Sequence, residues 1–164
     1  MAAAKRAGRV LPSHVKKVLA TYAERGVFRS FSQVAGEKGK AEFRFHWLWN
    51  LPFHLTFDAQ RRELSFRKLL PGVAPGSQLE ADLNAFIEGL SSPERPEHRR
   101  IDTARLMLRY SNQRGTVALT FRILGADYEY AVRKAVNVVN EIFLDFLNAR
   151  FPEYMVEKFK LPEE

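Results

Sequence analysis

Residues 41–49 alternate apolar and polar side chains, with Leu48 as the one exception. Ala41, Phe43, Phe45, Trp47 and Trp49 fall on one face, with Glu42, Arg44 and His46 on the other. Phe53, Leu55 and Phe57 alternate in the same way with His54, Thr56 and Asp58. A turn at Asn50–Pro52 sets Phe43 against Phe57, Phe45 against Leu55 and Trp47 against Phe53, which gathers the large apolar groups on one side. A second connection, from Ala59 to Arg62, brings Leu64 to Phe57, Phe66 to Leu55 and Arg67 to His54, which makes a three-stranded meander. Residues 27–35 (VFRSFSQVA) carry an extra strand of less regular alternation. A later hairpin turns at Asn112–Gly115. It sets Tyr110 against Val117, Leu108 against Leu119, Leu106 against Phe121 and Ala104 against Ile123.

Helical spacing separates these strands. Ser13 is read as the cap of a first helix with Val15, Val18, Leu19 and Tyr22 on one stripe, closed by Gly26. Ser77 and Glu80 form a capping box before the stripe Leu79, Leu83, Phe86, Ile87 and Leu90. Asp127 caps the longest helix, whose apolar stripe runs from Tyr128 through Val136, Val139 and Phe143 to Leu147 and stops before Pro152. Residues 91–100 (SSPERPEHRR) are a polar, Pro-broken loop inside the domain. The predicted architecture is two-layer α+β, an antiparallel sheet with helices on one face, in the order α-β-β-β-α-β-β-α. Phe43, Phe45, Trp47, Leu55, Phe57, Leu106, Leu108, Leu119 and Phe121 are expected on the buried face. Leu83, Phe86, Val136, Val139 and Phe143 are expected to cover them. Residues 1–12 read as a flexible basic tail and residues 13–164 as one domain.

Composition changes this picture little. The 164 residues are 46% hydrophobic and 27% charged, as in an ordinary globular domain, and contain no cysteine, which excludes disulfides and thiol chemistry. No apolar run reaches the length of a membrane span, and no apolar segment follows Lys5, Arg6 and Arg9 as a secretory signal would require. A cytoplasmic protein is expected. The first acidic residue is Glu24, so a basic organelle-targeting leader is the competing reading of the N-terminus. The net charge of +7 favours anionic partners, but it is spread along the chain.

The element order, with a meander before the Ser77 helix and a hairpin feeding the long Asp127 helix, resembles the type III secretion chaperone-like fold and, within it, the bacterial YbjN-like group. The resemblance spans Ser13 to about Leu147. It implies a non-enzymatic protein, often a small dimer, that holds an extended segment of another polypeptide across its surface.

The search for catalytic chemistry is negative. Gly39-Lys40 sits where a phosphate loop would end, but Ala41 replaces the magnesium-binding hydroxyl and Val34 the first glycine, so a polar turn is expected. No nucleophile elbow or zinc-protease helix occurs, no cofactor is implied, and Asp82, Asp102 and Asp145 read as solvated charges. His46 and His54, opposite each other in the derived register, are two weak metal candidates without a third ligand. Arg105 falls opposite Arg122, with Arg109 two residues along and Arg67 nearby. This like-charged group would be offset by an anion or by carboxylates such as Glu94 or Glu97. The open face carries no aromatic row for reading single-stranded nucleic acid. Leu48, Trp49 and Leu51 form an apolar hairpin tip suited to a dimer or partner interface. The leading expectation is therefore a non-catalytic, homodimeric protein-interaction module. Anion or nucleic-acid binding through the arginine face is the second reading.

Overall fold

The computed structural model describes residues 10–161. Strands β1 (Arg29–Glu37), β2 (Lys40–Trp47), β3 (Leu51–Asp58) and β4 (Glu63–Leu70) form an antiparallel meander. Helix α1 (Pro12–Glu24) precedes it and α2 (Gln78–Glu88) follows it. Strands β5 (Leu106–Gln113) and β6 (Thr116–Ile123) complete a six-stranded sheet of order β1-β2-β3-β4-β6-β5. The chain thus steps past one strand position to lay β5 on the outside, and β6 returns between β5 and β4. Sequence explains which of the two is interior and which the edge: Val117, Leu119, Thr120, Phe121 and Ile123 of β6 are all buried, whereas β5 buries Leu106 and turns polar towards its end. The expected α+β class holds, and the strand expected over 27–35 is present, shifted to Arg29–Glu37.

Helix α3 (Tyr128–Glu141) runs on through a π-helical stretch, Ile142–Leu147, that buries Ile142, Phe143, Phe146 and Leu147, and α4 (Pro152–Phe159) follows. Leu144 and Asp145 in the same stretch face outward, so the π-helical segment keeps one apolar face on the core. Asp127 caps α3, its Oδ1 accepting from the Tyr130 N–H at 3.0 Å. Helix α1 begins two residues earlier than expected, with Leu11 and not Ser13 at the cap position, so Ser13 lies inside its first turn, where Pro12 supplies the favoured start. The Leu11 N–H instead donates to His14 Nδ1 at 3.1 Å. Gly26 ends the helix with φ +79°, as read. Of the residues 1–12 assigned to a tail, Val10 packs in the core and Pro12 opens α1; residues 1–9 lie outside the described residues.

Both hairpins keep the expected faces but shift register by two residues. Phe43 pairs with Leu55, Phe45 with Phe53 and Trp47 with Leu51, because the turn is Leu48-Trp49-Asn50 and not Asn50–Pro52. All three turn residues are left-handed, with φ of 50°, 58° and 58°. Trp49 therefore leaves the inner face to which strict alternation assigned it. In the second hairpin Leu106 pairs with Ile123, Leu108 with Phe121 and Tyr110 with Leu119. Its turn is the two-residue Arg114-Gly115, both at positive φ, the geometry that matches strand twist best. Asn112 is not a turn residue. Its Oδ1 accepts from the Gly115 N–H at 2.9 Å. Among the expected core residues only Leu108 and Phe86 stay half-buried, one on the edge strand and one near the margin of α2.

One side chain ties α2 to the β5 edge. Ser77 Oγ accepts from the Glu80 N–H at 3.2 Å, as the capping box predicts. The Glu80 carboxylate accepts from the Gly76 N–H at 2.8 Å and from Tyr110 Oη and Asn112 Nδ2 at 2.7 Å each. Those donors, Gly76 first, hold its carboxyl below the usual value of 4.5.

Candidate interaction site

The open face of the sheet does not assemble the basic patch read from sequence. Arg122 pairs with Met107, not Arg105, and Arg109 pairs with Thr120. Arg105 lies before β5, where its guanidinium pairs with Asp127 and stacks over the Tyr130 ring, 3.7 Å from its centroid. The offsetting carboxylate is Glu63, which sits opposite Arg122 in the β4–β6 ladder and reaches Arg109 Nη1 at 3.4 Å. Glu94 and Glu97 are in the loop after α2 and play no such part. Arg67 is exposed on β4, in the stretch where the pairing of β4 with β6 is interrupted between Phe66 and Leu70. The relief that an anion would have provided is thus partly internal.

The two histidines also separate. His46 pairs with Pro52, and His54 with Arg44, while His54 Nε2 lies 3.3 Å from Glu42 Oε2. Among the described residues no group of three potential ligands is placed to hold a metal. Gly39, at φ +73°, belongs to the tight turn between β1 and β2, as expected.

The apolar tip is present. Trp49 is 41% exposed on its left-handed turn, and Leu48 and Leu51 pack half-buried at its base. Beside it β3 and β4 part, since their ladder runs over Thr56↔Ser65, Phe57↔Leu64 and Asp58↔Glu63. The gap is a crevice of about 220 Å³ lined by Leu51, Phe53, Phe66, Leu69, Phe143 and Phe159.

The feature that sequence reasoning missed is at the opposite edge. Strand β5 pairs with β6 through eight consecutive residues without a bulge, and its other side is free in the described residues. Met107 on it is 50% exposed. Next to the strand, between the end of α2 and β5, runs an apolar groove of about 430 Å³ lined by Ile87, Leu90, Ile101, Leu106, Met107 and Leu108. The signal was legible only in part: LMLRYSNQ is a strand with an apolar start, but nothing local says that its neighbour is β6 alone.

No family model matches the chain, and neither the curated proteins nor the solved structures hold a match to it. No helix among the described residues is long and apolar enough to cross a membrane.

Proposed function

We propose that the protein is a non-catalytic interaction module that holds an extended segment of another polypeptide along the free side of β5. The observation that carries this reading is the combination of a regular edge and an adjoining apolar groove. An unblunted edge strand offers a row of backbone donors and acceptors, and a segment added there gains main-chain hydrogen bonds whatever its sequence. Alternate side chains of such a segment point to one face, where the groove between Ile87, Leu90, Leu106 and Leu108 accepts apolar ones. The order of elements, similar to that of chaperone-like proteins, agrees with this reading. A homodimer through the Leu48, Trp49 and Leu51 tip, in a cytoplasmic setting, is part of the same proposal.

Selection from a displayed library of random peptides tests it. Enriched peptides should be apolar at alternate positions and should protect the amides of residues 106–113 from hydrogen exchange. They should bind Met107→Asp about tenfold or more weakly, at a position exposed enough to leave the fold intact. A library that yields no binder, or binders that protect other segments and ignore Met107→Asp, overturns the reading. For the dimer, Trp49→Ala should shift the protein from dimer to monomer in analytical ultracentrifugation. A wild type that stays monomeric at high micromolar concentration removes that element.

A further inference from the structure

On the far side of the loop that borders the β5 groove lies a second, larger cleft of about 540 Å³, between residues 97–105 and the first turns of α3. Arg100, Arg105, Arg133 and Lys134 line it together with His98 and Tyr130. Arg105 has Asp127 as its partner, but among the described residues Arg100, Arg133 and Lys134 form no ion pair. Arg133 donates only to a carbonyl of its own helix, that of Glu129, and Lys134 Nζ donates to the His98 carbonyl at 2.9 Å. Arg100 is fixed from behind, its Nη2 donating to the Pro93 and Arg95 carbonyls at 2.9 and 2.7 Å. Its Nε is buried with no hydrogen-bond partner.

A donor left unpaired in a buried setting is costly, and guanidinium donors more so than neutral ones. Crowding adds to this. Burial first, and then the Arg95, Arg133 and Arg105 charges, hold the Lys134 ammonium below its usual range against the opposing pull of Glu141. Two carboxylates, Glu97 and Asp102, also line the cleft. Asp102 is engaged locally, its Oδ1 accepting from the Ala104 N–H at 2.9 Å. Three cations without an ion pair, against the single carboxylate of Glu97, therefore face a space with room for a small organic molecule.

We infer that this cleft is a binding site for a phosphate group. A carboxylate brings one charge. A phosphate monoester brings nearly two and three acceptor oxygens, which suits fork-shaped guanidinium donors and a lysine at close quarters. The site stands apart from the β5 surface and does not depend on it, although Ser91, Ile101 and Thr103 border both. The phosphate can arrive on a free small molecule or on a phosphorylated side chain of a bound polypeptide, and the chemistry of recognition is the same.

Calorimetry at low salt decides the matter, with inorganic phosphate, pyrophosphate, a phosphoserine peptide and its unphosphorylated counterpart as probes. At least one phosphate-bearing probe should bind saturably at one site, and the unphosphorylated peptide should not. Arg133→Gln combined with Lys134→Gln should weaken that binding by about tenfold or more. Both positions are on a helix surface, and an unchanged melting temperature checks that the variant folds. Lys16→Gln, an exposed cation on α1, should change nothing. Tightest binding of pyrophosphate assigns the site to a free ligand, and tightest binding of the phosphopeptide assigns it to a modified partner. No saturable binding of any phosphate-bearing probe, or binding undiminished in the double variant, overturns the inference. Neither result bears on peptide selection at β5, so the two readings fail separately.

Discussion

Strands β1 and β5 are both edges of the same sheet, yet their free sides are built differently. β1 breaks register with β2 twice, between Arg29 and Ser32 and between Gln33 and Ala35, and carries Ser30 in the left-handed region at φ 53°. Nearly all its residues are exposed. Breaks of this kind twist an edge away from further pairing. β5 has none of them, keeps an unbroken register for eight residues, and is tied to α2 by Glu80 through Tyr110 and Asn112. The contrast teaches that an open edge is not a default of this fold: one is blunted and the other is kept pairable and supported. That difference is why the proposed segment is placed on β5.

The comparison breaks most visibly at Glu80. Glu80→Ala leaves the half-buried Tyr110 hydroxyl without its acceptor and the Asn112 amide with the Val73 carbonyl alone. It should lower the melting temperature by several degrees and speed hydrogen exchange across residues 106–113, with little change across residues 29–37. Equal acceleration at both edges would remove the idea that β5 is specially supported. Acid tests the same contact more gently. A carboxyl held below 4.5 in the folded state contributes stability that is fully present above that value and is lost as pH falls through the folded value. Protection of β5 should therefore fade below about pH 4.5, the reference value for this carboxyl, and Glu80→Gln should flatten that dependence. The smallest effect is at β1. Ser30→Gly relieves a left-handed serine and should stabilise the protein by about 0.5–1 kcal/mol in denaturant titration, the relief being partly offset by glycine's freedom when unfolded. A destabilising result would mean that the Ser30 side chain holds the bulge in place.

How much of this was legible follows from period. Face assignment rests on alternation, so Phe43, Phe45, Leu55, Phe57, Leu119 and Phe121 were placed on the buried side even though both registers were wrong. A shift of two residues preserves parity, and only the turn fixes it. For β5–β6 the signal existed in Arg114-Gly115, but Asn112 drew the turn towards itself while using its side chain to support it. For β2–β3 there was none, since Leu48 and Trp49 adopt a conformation that bulky L-residues resist by about 1–2 kcal/mol each. The two-residue slip then manufactured the Arg105–Arg122 and His46–His54 pairs. The phosphate cleft was beyond sequence for another reason. The basic runs His98-Arg99-Arg100 and Arg133-Lys134 are visible, but only the packing of the loop after α2 against α3 brings them together. Arg95 clamps that loop through Glu141 at 2.6 Å, and Arg99 does so through Asp145 at 3.2 Å.

The insertion of β6 between β4 and β5 has a consequence during synthesis. When β1 to β4 have left the ribosome, β4 ends the growing sheet with Leu64, Phe66 and Leu70 facing a core whose last two strands are not yet made. Its hydrogen-bonding side waits for residues 116–123, and its apolar face waits for α3. A nascent chain stopped before β6 thus exposes an unfilled strand position beside uncovered aromatic surface, the condition in which chains pair with one another instead of with themselves. For some fifty residues of translation, from the end of β4 to the end of β6, this protein depends on remaining apart from its own copies, at about 5–20 residues per second.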